Sequence, residues 1–339
     1  MLALPQHRRL RGTDRPRGGF TLIEILVVVV IIAILMALIL PAIFSVQRRA
    51  RNASVRGEIS NLESAVATFK TQFGSEPPSS ITIYETPTAA GGWASASPSA
   101  VAVDSRAKIR QIWPQFNFLA VRDFNGNGST TDVITLSQGE CLVFFLGGIL
   151  KRPEDTNNNG ILDSGEDLDG DSKLGINVKT GSGTQRSSCT GFSKNPFDPF
   201  ASGGNRDTAI YEFDTSRFVD INGNGFPEFV DSLPAQTSPY LYFTSYGGSG
   251  YRYNSASPLF EFAASSSAPT FPPTGPYLQG TGAGAQPWKP KSFQIISPGY
   301  DHKYGPFGTY ADTNSDLSGA RDVEADNITN FAPGTLGGR

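Results

Sequence analysis

Three stretches of this 339-residue chain carry oxygen-bearing side chains at alternate positions around a glycine. In the stretch from Asp155 to Glu166, every position of a 12-residue EF-hand-type loop is filled. Asp155, Asn157, Asn159, Asp163 and Glu166 stand at positions 1, 3, 5, 9 and 12, Ile161 offers its carbonyl at position 7, and Gly160 takes the sharp turn at position 6. Hard oxygens at that spacing suit calcium. A second loop has Asp220, Asn222, Asn224, Gly225, Phe226 (through its carbonyl) and Glu228, with Asp231 where the final Glu would be. A third begins Asp123, Asn125, Asn127, Gly128 but has Ile134 at position 12, so Asp132 must close it. Ligand sets dominated by Asn carry little charge, which points to weak affinity and a calcium-rich setting outside the cytoplasm. Asn, Asp and Gly are also the usual turn formers, so a solvated turn is the competing reading at each loop. Paired flanking helices are not evident, so these would be isolated calcium loops. Asp167, Asp169 and Asp171 follow the first loop as candidates for a second ion.

Other chemistry is sparse. There are two histidines, His7 near the N-terminus and His302, so a His-based triad or multi-His metal site is poorly supported. Asp301-His302 has no nucleophile signature nearby, and no catalytic constellation is expected. Cys141 and Cys189 are the two cysteines. An oxidising compartment would allow them to pair, while the apolar run around Cys141 fits simple packing equally well. The formal charge of -3 hides an asymmetry, because Arg8, Arg9, Arg11, Arg15 and Arg17 crowd the first 19 residues. The rest is acidic, and nucleic acid is not an expected partner.

The elements that would carry these loops begin with an apolar run. Ile25 to Leu40 is uninterrupted, and Pro41 to Phe44 extends it to the length a helix needs to cross a bilayer core. The preceding arginines leave the leader in the cytoplasm and send the body across. A cleavable secretory signal is the alternative, but no small-x-small site follows the run. Pro41 should bend or loosen the helix. Val55, Ile59, Leu62, Val66 and Phe69 then recur every three or four residues, so the helix continues as an amphipathic half to about Phe73-Gly74, before Pro77-Pro78. A Glu at the edge of an apolar span, here Glu24, is a functional candidate by default.

The junction Arg17-Gly18-Gly19-Phe20-Thr21-Leu22-Ile23-Glu24 resembles a type IV prepilin signal. That resemblance implies cleavage after Gly19 by a prepilin peptidase, methylation of Phe20, and pairing of Glu24 with the N-terminal amine of a neighbouring subunit. Glu24 and Pro41 stand at the family's positions. The segment from Glu58 to Pro78 resembles the major pseudopilins of type II secretion. So does the C-terminal stretch from Phe293 through Ser297, Asp301 and Gly305 to Asp326 and Phe331, where the family binds calcium. Carried over by position, Asp301 and Asp326 are carboxylate ligands and Ser297 offers its carbonyl. His302 stands where the family has Gly, Asn327 where it often has Asp, and an insert containing Asp312, Asn314 and Asp316 separates the two halves.

In the body, a helix is expected over Asp104–Ile112. Gln138–Leu150 reads as a helix, with a buried strand as the alternative. Ala209–Phe213, Tyr240–Tyr246 and Phe293–Ser297 read as strands, and Thr86–Ser99 and Ala263–Pro290 as loops or linkers. With 37 Gly and 24 Pro, the chain is loop-rich. The expected fold is α+β and pilin-like: a leader (1–19), a transmembrane half-helix (20–44), an amphipathic half-helix (45–76), and a body (77–339) with a small antiparallel sheet and a large loop-rich insertion. The resemblance implies a calcium-stabilised, non-enzymatic subunit of a type II secretion pseudopilus in the bacterial inner membrane, with its body in the periplasm. Its partners would be copies of itself, other pseudopilins, the prepilin peptidase and the inner-membrane assembly platform. The alternatives are a pilin or minor pilin of a surface fibre, or a membrane-anchored calcium-dependent binding module.

Overall fold

A computed structural model describes residues 19, 21–157, 159–168, 174–180, 182–252, 275–280, 284–311 and 317–338. The leader up to residue 18, Phe20, Asp169, Asp171 and the 312–316 segment lie outside the described residues. The chain divides into two units, 1–50 and 51–339. Helix α1 (Leu22–Phe73, 52 residues) begins in the first. It starts at a reciprocal cap. The Thr21 hydroxyl accepts from the Glu24 amide at 3.3 Å, and the Glu24 carboxylate accepts from the Thr21 amide and hydroxyl at 2.7 and 2.8 Å. Every residue from Thr21 to Ala50 is exposed, so none of the described residues covers the apolar run. Pro41 lies inside α1 without ending it. At 1.5 Å per residue, Leu22 to Phe44 spans about 35 Å, enough for a hydrocarbon core of about 30 Å.

In the second unit, α1 buries Val55, Ile59, Leu62, Val66 and Phe69, the stripe expected from their spacing. The helix stops at Phe73 because Gly74 turns into the left-handed region (φ 78°) while its amide still bonds the Lys70 carbonyl at 2.9 Å. The chain then runs through β1 (Ile81–Tyr84), α2 (Ala100–Ile112), β2 (Val133–Leu136) and α3 (Gln138–Gly147). Next come β3 (Leu150–Lys151), β4 (Asn177–Thr180), β5 (Gly183–Arg186), β6 (Ser188–Cys189), β7 (Phe218–Val219) and β8 (Glu228–Phe229). The last strands are β9 (Leu241–Thr244), β10 (Leu278–Gln279), β11 (Gln286–Pro287), β12 (Phe293–Ser297) and β13 (Ile328–Thr329). All named pairings are antiparallel: β1 with β2, β3 with β6, β4 with β5, β7 with β8, β10 with β11, and a three-stranded sheet in the order β13-β12-β9. This is an α+β fold of pilin-like layout, a long N-terminal helix followed by small antiparallel sheets and loops.

Aromatic rings weld the amphipathic part of α1 to the body. Phe69 meets Phe145 of α3 edge-on at 5.8 Å, and Phe73 meets Trp113 at 5.6 Å. Polar ties set its rotation. Glu58 accepts from the Tyr240 hydroxyl at 2.6 Å and from Arg217, while Glu63 accepts from Lys289 at 3.0 Å and Asn330 at 2.9 Å.

The local expectations need three corrections. Helix α2 starts at Ala100, four residues before Asp104, because Ser99 caps it by accepting from the Ala102 amide at 3.1 Å. Helix α3 resolves the helix-or-strand ambiguity but ends at Gly147. At Gly148 (φ 80°) a Cβ would lie 2.3 Å from the Gly191 backbone, so the helix cannot run on to Leu150. Ala209–Phe213 is not a strand: the amides of Ile210 and Tyr211 both bond the Leu146 carbonyl, at 2.9 and 3.0 Å, and so finish the last turn of α3 instead of joining a ladder. The 86–99 stretch is the loop expected, but it is not confined to the surface, since Trp93 is 1% exposed and donates to the Thr82 carbonyl at 3.1 Å.

Candidate functional site

Taken in chain order as the first (Asp123–Asp132), second (Asp155–Glu166) and third (Asp220–Asp231), the three Asp/Asn loops fold by one rule. Asp123 accepts the amides of Gly126 and Gly128 at 2.6 and 2.8 Å, and Asp220 those of Gly223 and Gly225 at 2.8 and 3.0 Å. Asp155 accepts those of Asn159 and Gly160, both at 2.9 Å. The Asn at position 3 accepts the amide two residues on: Asn125 from Asn127 (3.2 Å), Asn157 from Asn159 (3.0 Å), Asn222 from Asn224 (3.0 Å). The Asn at position 5 does the same, Asn127 from Ser129, Asn159 from Ile161 and Asn224 from Phe226, each at 2.8 Å. Short side chains that bond their own main chain thus curl it around a common centre, and the amide oxygens retain a second lone pair.

The residue that closes each loop differs. Asp132 accepts from Asn127 at 2.7 Å and Asn125 at 3.5 Å. In the second loop Asn157 and Asn159 both donate to Asp163 at 2.7 Å. Glu166, buried, accepts from the Thr156 hydroxyl (2.5 Å) and from the amides of Asp163 (3.0 Å) and Thr156 (2.9 Å) and so straps the loop's two ends; these bonds, the hydroxyl's first, hold its carboxyl below the usual range. Ile161 has an exposed side chain.

The third loop is the turn of the β7–β8 hairpin, and it recruits a residue 82 positions upstream on α3: Asn222 donates to Glu140 at 2.9 Å. Carboxylate oxygens of Glu140, Asp220 and Glu228 lie within 4.8 Å of one another. Glu140 and Glu228 are buried. Burial, then the charge of Glu140, push the Glu228 carboxyl up to about 8, and burial is also the leading cause raising Glu140 and Asp220. Phe226 is buried beside them. Asp231 is a correction: it accepts instead from the Ser297 hydroxyl (2.6 Å), the Leu233 amide (2.9 Å) and Gln236 (3.0 Å). Strand β8 carries alternate residues to opposite sides, so Glu228 faces the loop and Asp231, beyond the strand's end, does not.

At the C-terminus the structure brings Asp301 and Asp326 together. Asp326 accepts the amides of Tyr300 (2.6 Å) and Asp301 (3.0 Å), and Asp301 accepts that of Lys303 (2.8 Å). Gly299 (φ 71°) permits the approach, because a Cβ there would lie 2.7 Å from the Asp326 side chain. Burial raises the Asp301 carboxyl.

The cysteines are not bonded to each other. Cys189 lies against Gly147, where a Cβ would sit 2.7 Å from its sulfur, whereas Cys141 is six residues up the same helix, about 9 Å along its axis. That separation exceeds disulfide reach.

Glu140, Glu85 and Glu154 are the acids that sequence reasoning missed. Glu85, fully buried, accepts the amides of Phe124 (2.8 Å) and Asp132 (3.1 Å) and straps the ends of the first loop. Glu154, also fully buried, accepts those of Leu168 (2.8 Å) and Gly175 (2.7 Å). Ser137-x-x-Glu140 is a capping-box pattern readable in the sequence, and it does cap α3; what it conceals is that the second Glu140 oxygen faces the third loop. Together these are hard, all-oxygen donors of the kind a divalent cation takes, with Glu140, Asp220 and Glu228 able to supply its charge.

Residues 14–40 match the family model described as the prokaryotic N-terminal methylation motif. The match takes in Gly19, Phe20 and Glu24, and it marks a type IV pilin-like signal of the kind processed by prepilin peptidase before pilus-like assembly. No curated protein and no solved structure gives a significant match to the chain. Among the described residues α1 is the one helix long and apolar enough to cross a membrane, which is compatible with a single-pass anchor.

Proposed function

We propose that this chain is a structural subunit of a type II secretion pseudopilus, cut after Gly19, methylated on Phe20 and assembled through α1. One observation carries the reading: a methylation motif at residues 14–40 runs directly into a helix whose apolar first half is exposed among the described residues. Such a surface requires lipid or other apolar helices around it. In the membrane it meets lipid, and in a filament it meets the same segment of neighbouring subunits. The work is mechanical, and the body rides on the helix into the periplasm.

Calcium belongs to the same proposal. Its donors are Asp123, Asn125, Asn127 and Asp132 in the first loop, and Asp155, Asn157, Asn159, Asp163 and the Ile161 carbonyl in the second. Asp220, Asn222, Asn224, Glu228 and Glu140 serve the third, and Asp301 with Asp326 the C-terminal turn. The donor chemistry fits, since Glu140 and Glu228 form a buried acidic pair that a divalent cation would neutralise. When bound, the ion would supply positive charge and fix loop geometry; the chain's own residues supply the curl.

The test is a comparison of proteins released into the medium with and without this gene. Loss of a defined set of exoproteins is expected. An unchanged profile would overturn the secretion role and leave the surface fibre or the anchored binding module as the reading to pursue.

A further inference from the structure

Arg152 follows β3 and leads into the second loop, yet its side chain belongs to all three. It is 7% exposed. Its Nη2 donates to the Gly225 carbonyl of the third loop at 2.7 Å. Its Nη1 lies against Gly126 of the first loop, where an added Cβ would sit 3.0 Å from that nitrogen and 3.1 Å from the Gly160 carbonyl oxygen of the second. Gly225 in turn abuts the first loop, with only 3.1 Å from its ideal Cβ position to the Asn125 Cβ. One guanidinium is therefore the point at which the three loops touch.

The charges have the same convergence. Asp123, Asp220 and Asp155, the first residue of each loop, all act electrostatically on Arg152, whose Nε has no hydrogen-bond partner. A guanidinium is costly to bury unless its charge is compensated. Here the compensation is divided among three carboxylates on three loops, so the position of each loop depends on the other two. Buried ion clusters add little net stability, and their best-attested use is to fix register.

We infer that Arg152 is a positioning residue that holds the three loops in mutual register, so that they open and close as one unit and not as three separate turns. The claim concerns the metal-free protein, and a failure of the calcium reading leaves it untouched.

The test is hydrogen–deuterium exchange on the full chain in detergent micelles with EDTA. D123N keeps the side chain's size, removes one of the three charges and, because an amide nitrogen cannot accept, loses one of the two bonds by which Asp123 takes the Gly126 and Gly128 amides. It should raise exchange at least threefold in the loops at 155–166 and 220–228 as well as in its own. In an R152M background the same D123N change should leave those two remote loops at the R152M level, the signature of coupling carried by Arg152. R152K, which keeps a charge but loses the planar fork, serves if R152M does not fold. A D123N response confined to residues 123–132 would overturn the inference. So would a remote response that persists without the guanidinium, because a merely structural Arg152 would not abolish it.

Discussion

The buried carboxylates of the third loop should make metal-free stability fall as pH rises. Glu228 titrates at about 8 in the folded chain against 4.5 when solvated. Between those values the folded state keeps a proton that the unfolded state has released. The unfolded state thus binds fewer protons, and stability must decline with pH at about 1.4 kcal/mol per unit. From pH 5 to pH 8 the loss amounts to roughly 4 kcal/mol, a large part of a typical domain's 5–15 kcal/mol. The stabilising contribution is complete below pH 4.5 and gone above pH 8. E228Q removes the group with the largest rise and keeps the shape, so its profile should be shallower than the wild type's, with only the slope that Glu140 and Asp220 give, and should lie above the wild type at pH 8. Urea unfolding of the full chain in detergent with EDTA, from pH 5 to pH 8.5, measures both curves. Adding calcium to the wild type should abolish most of the slope, since a divalent ion held by Glu140, Asp220 and Glu228 displaces the proton. A metal-free wild type with no slope, or an E228Q with the wild-type slope, would refute the reasoning.

Three further outcomes are expected. E24Q keeps an acceptor for the Thr21 amide and loses the charge, so it should spare the helix cap and still abolish filament assembly, scored by crosslinking of adjacent subunits; normal filaments in E24Q would mean that the charge plays no part in register. G126A places a Cβ 2.5 Å from the Leu174 side chain at a φ of 72°, and should cost at least about 2 kcal/mol in urea unfolding. G128A, with nothing within 4 Å, meets only the left-handed strain of about 1 kcal/mol, and equal costs for the two would contradict the packing at Arg152. Cys189, whose thiol burial pushes up to about 12, should resist alkylation by iodoacetamide at pH 7.5 in the native protein, while denaturation releases two reactive thiols; finding none after denaturation would establish the disulfide that α3 geometry excludes.

What could be read from the sequence was whatever depends on neighbours in the chain. The stripe from Val55 to Phe69 is periodic, so the helix and its end at Phe73 follow from spacing alone. Each D-x-N-x-N-G curl closes on its own main chain, and so its turn is visible in the local pattern. Strand β12 is a short apolar run with its partners elsewhere, but its composition suffices to mark it. The misread segment at Ala209–Phe213 has strand composition and no strand partner. Its amides are spent on the end of α3, a choice made by tertiary contact that no local pattern records.

The hub was hidden for the same physical reason. Glu140 has a sufficient local explanation as the N-terminal cap of α3, and an Arg between Lys151 and Pro153 looks like an ordinary surface residue. Only the fold shows that β3 delivers Arg152, the β7–β8 turn delivers Gly225, and the segment before β2 delivers Gly126 to one place. The glycines were legible as turn formers, yet the second role of Gly126 and Gly225, allowing a guanidinium to approach the backbones of two loops at once, depends on what stands opposite. Three copies of a local pattern in a chain of this length invite counting them as three sites. A single shared guanidinium among their leading aspartates argues instead that the three loops hold one register, which none of them could set alone.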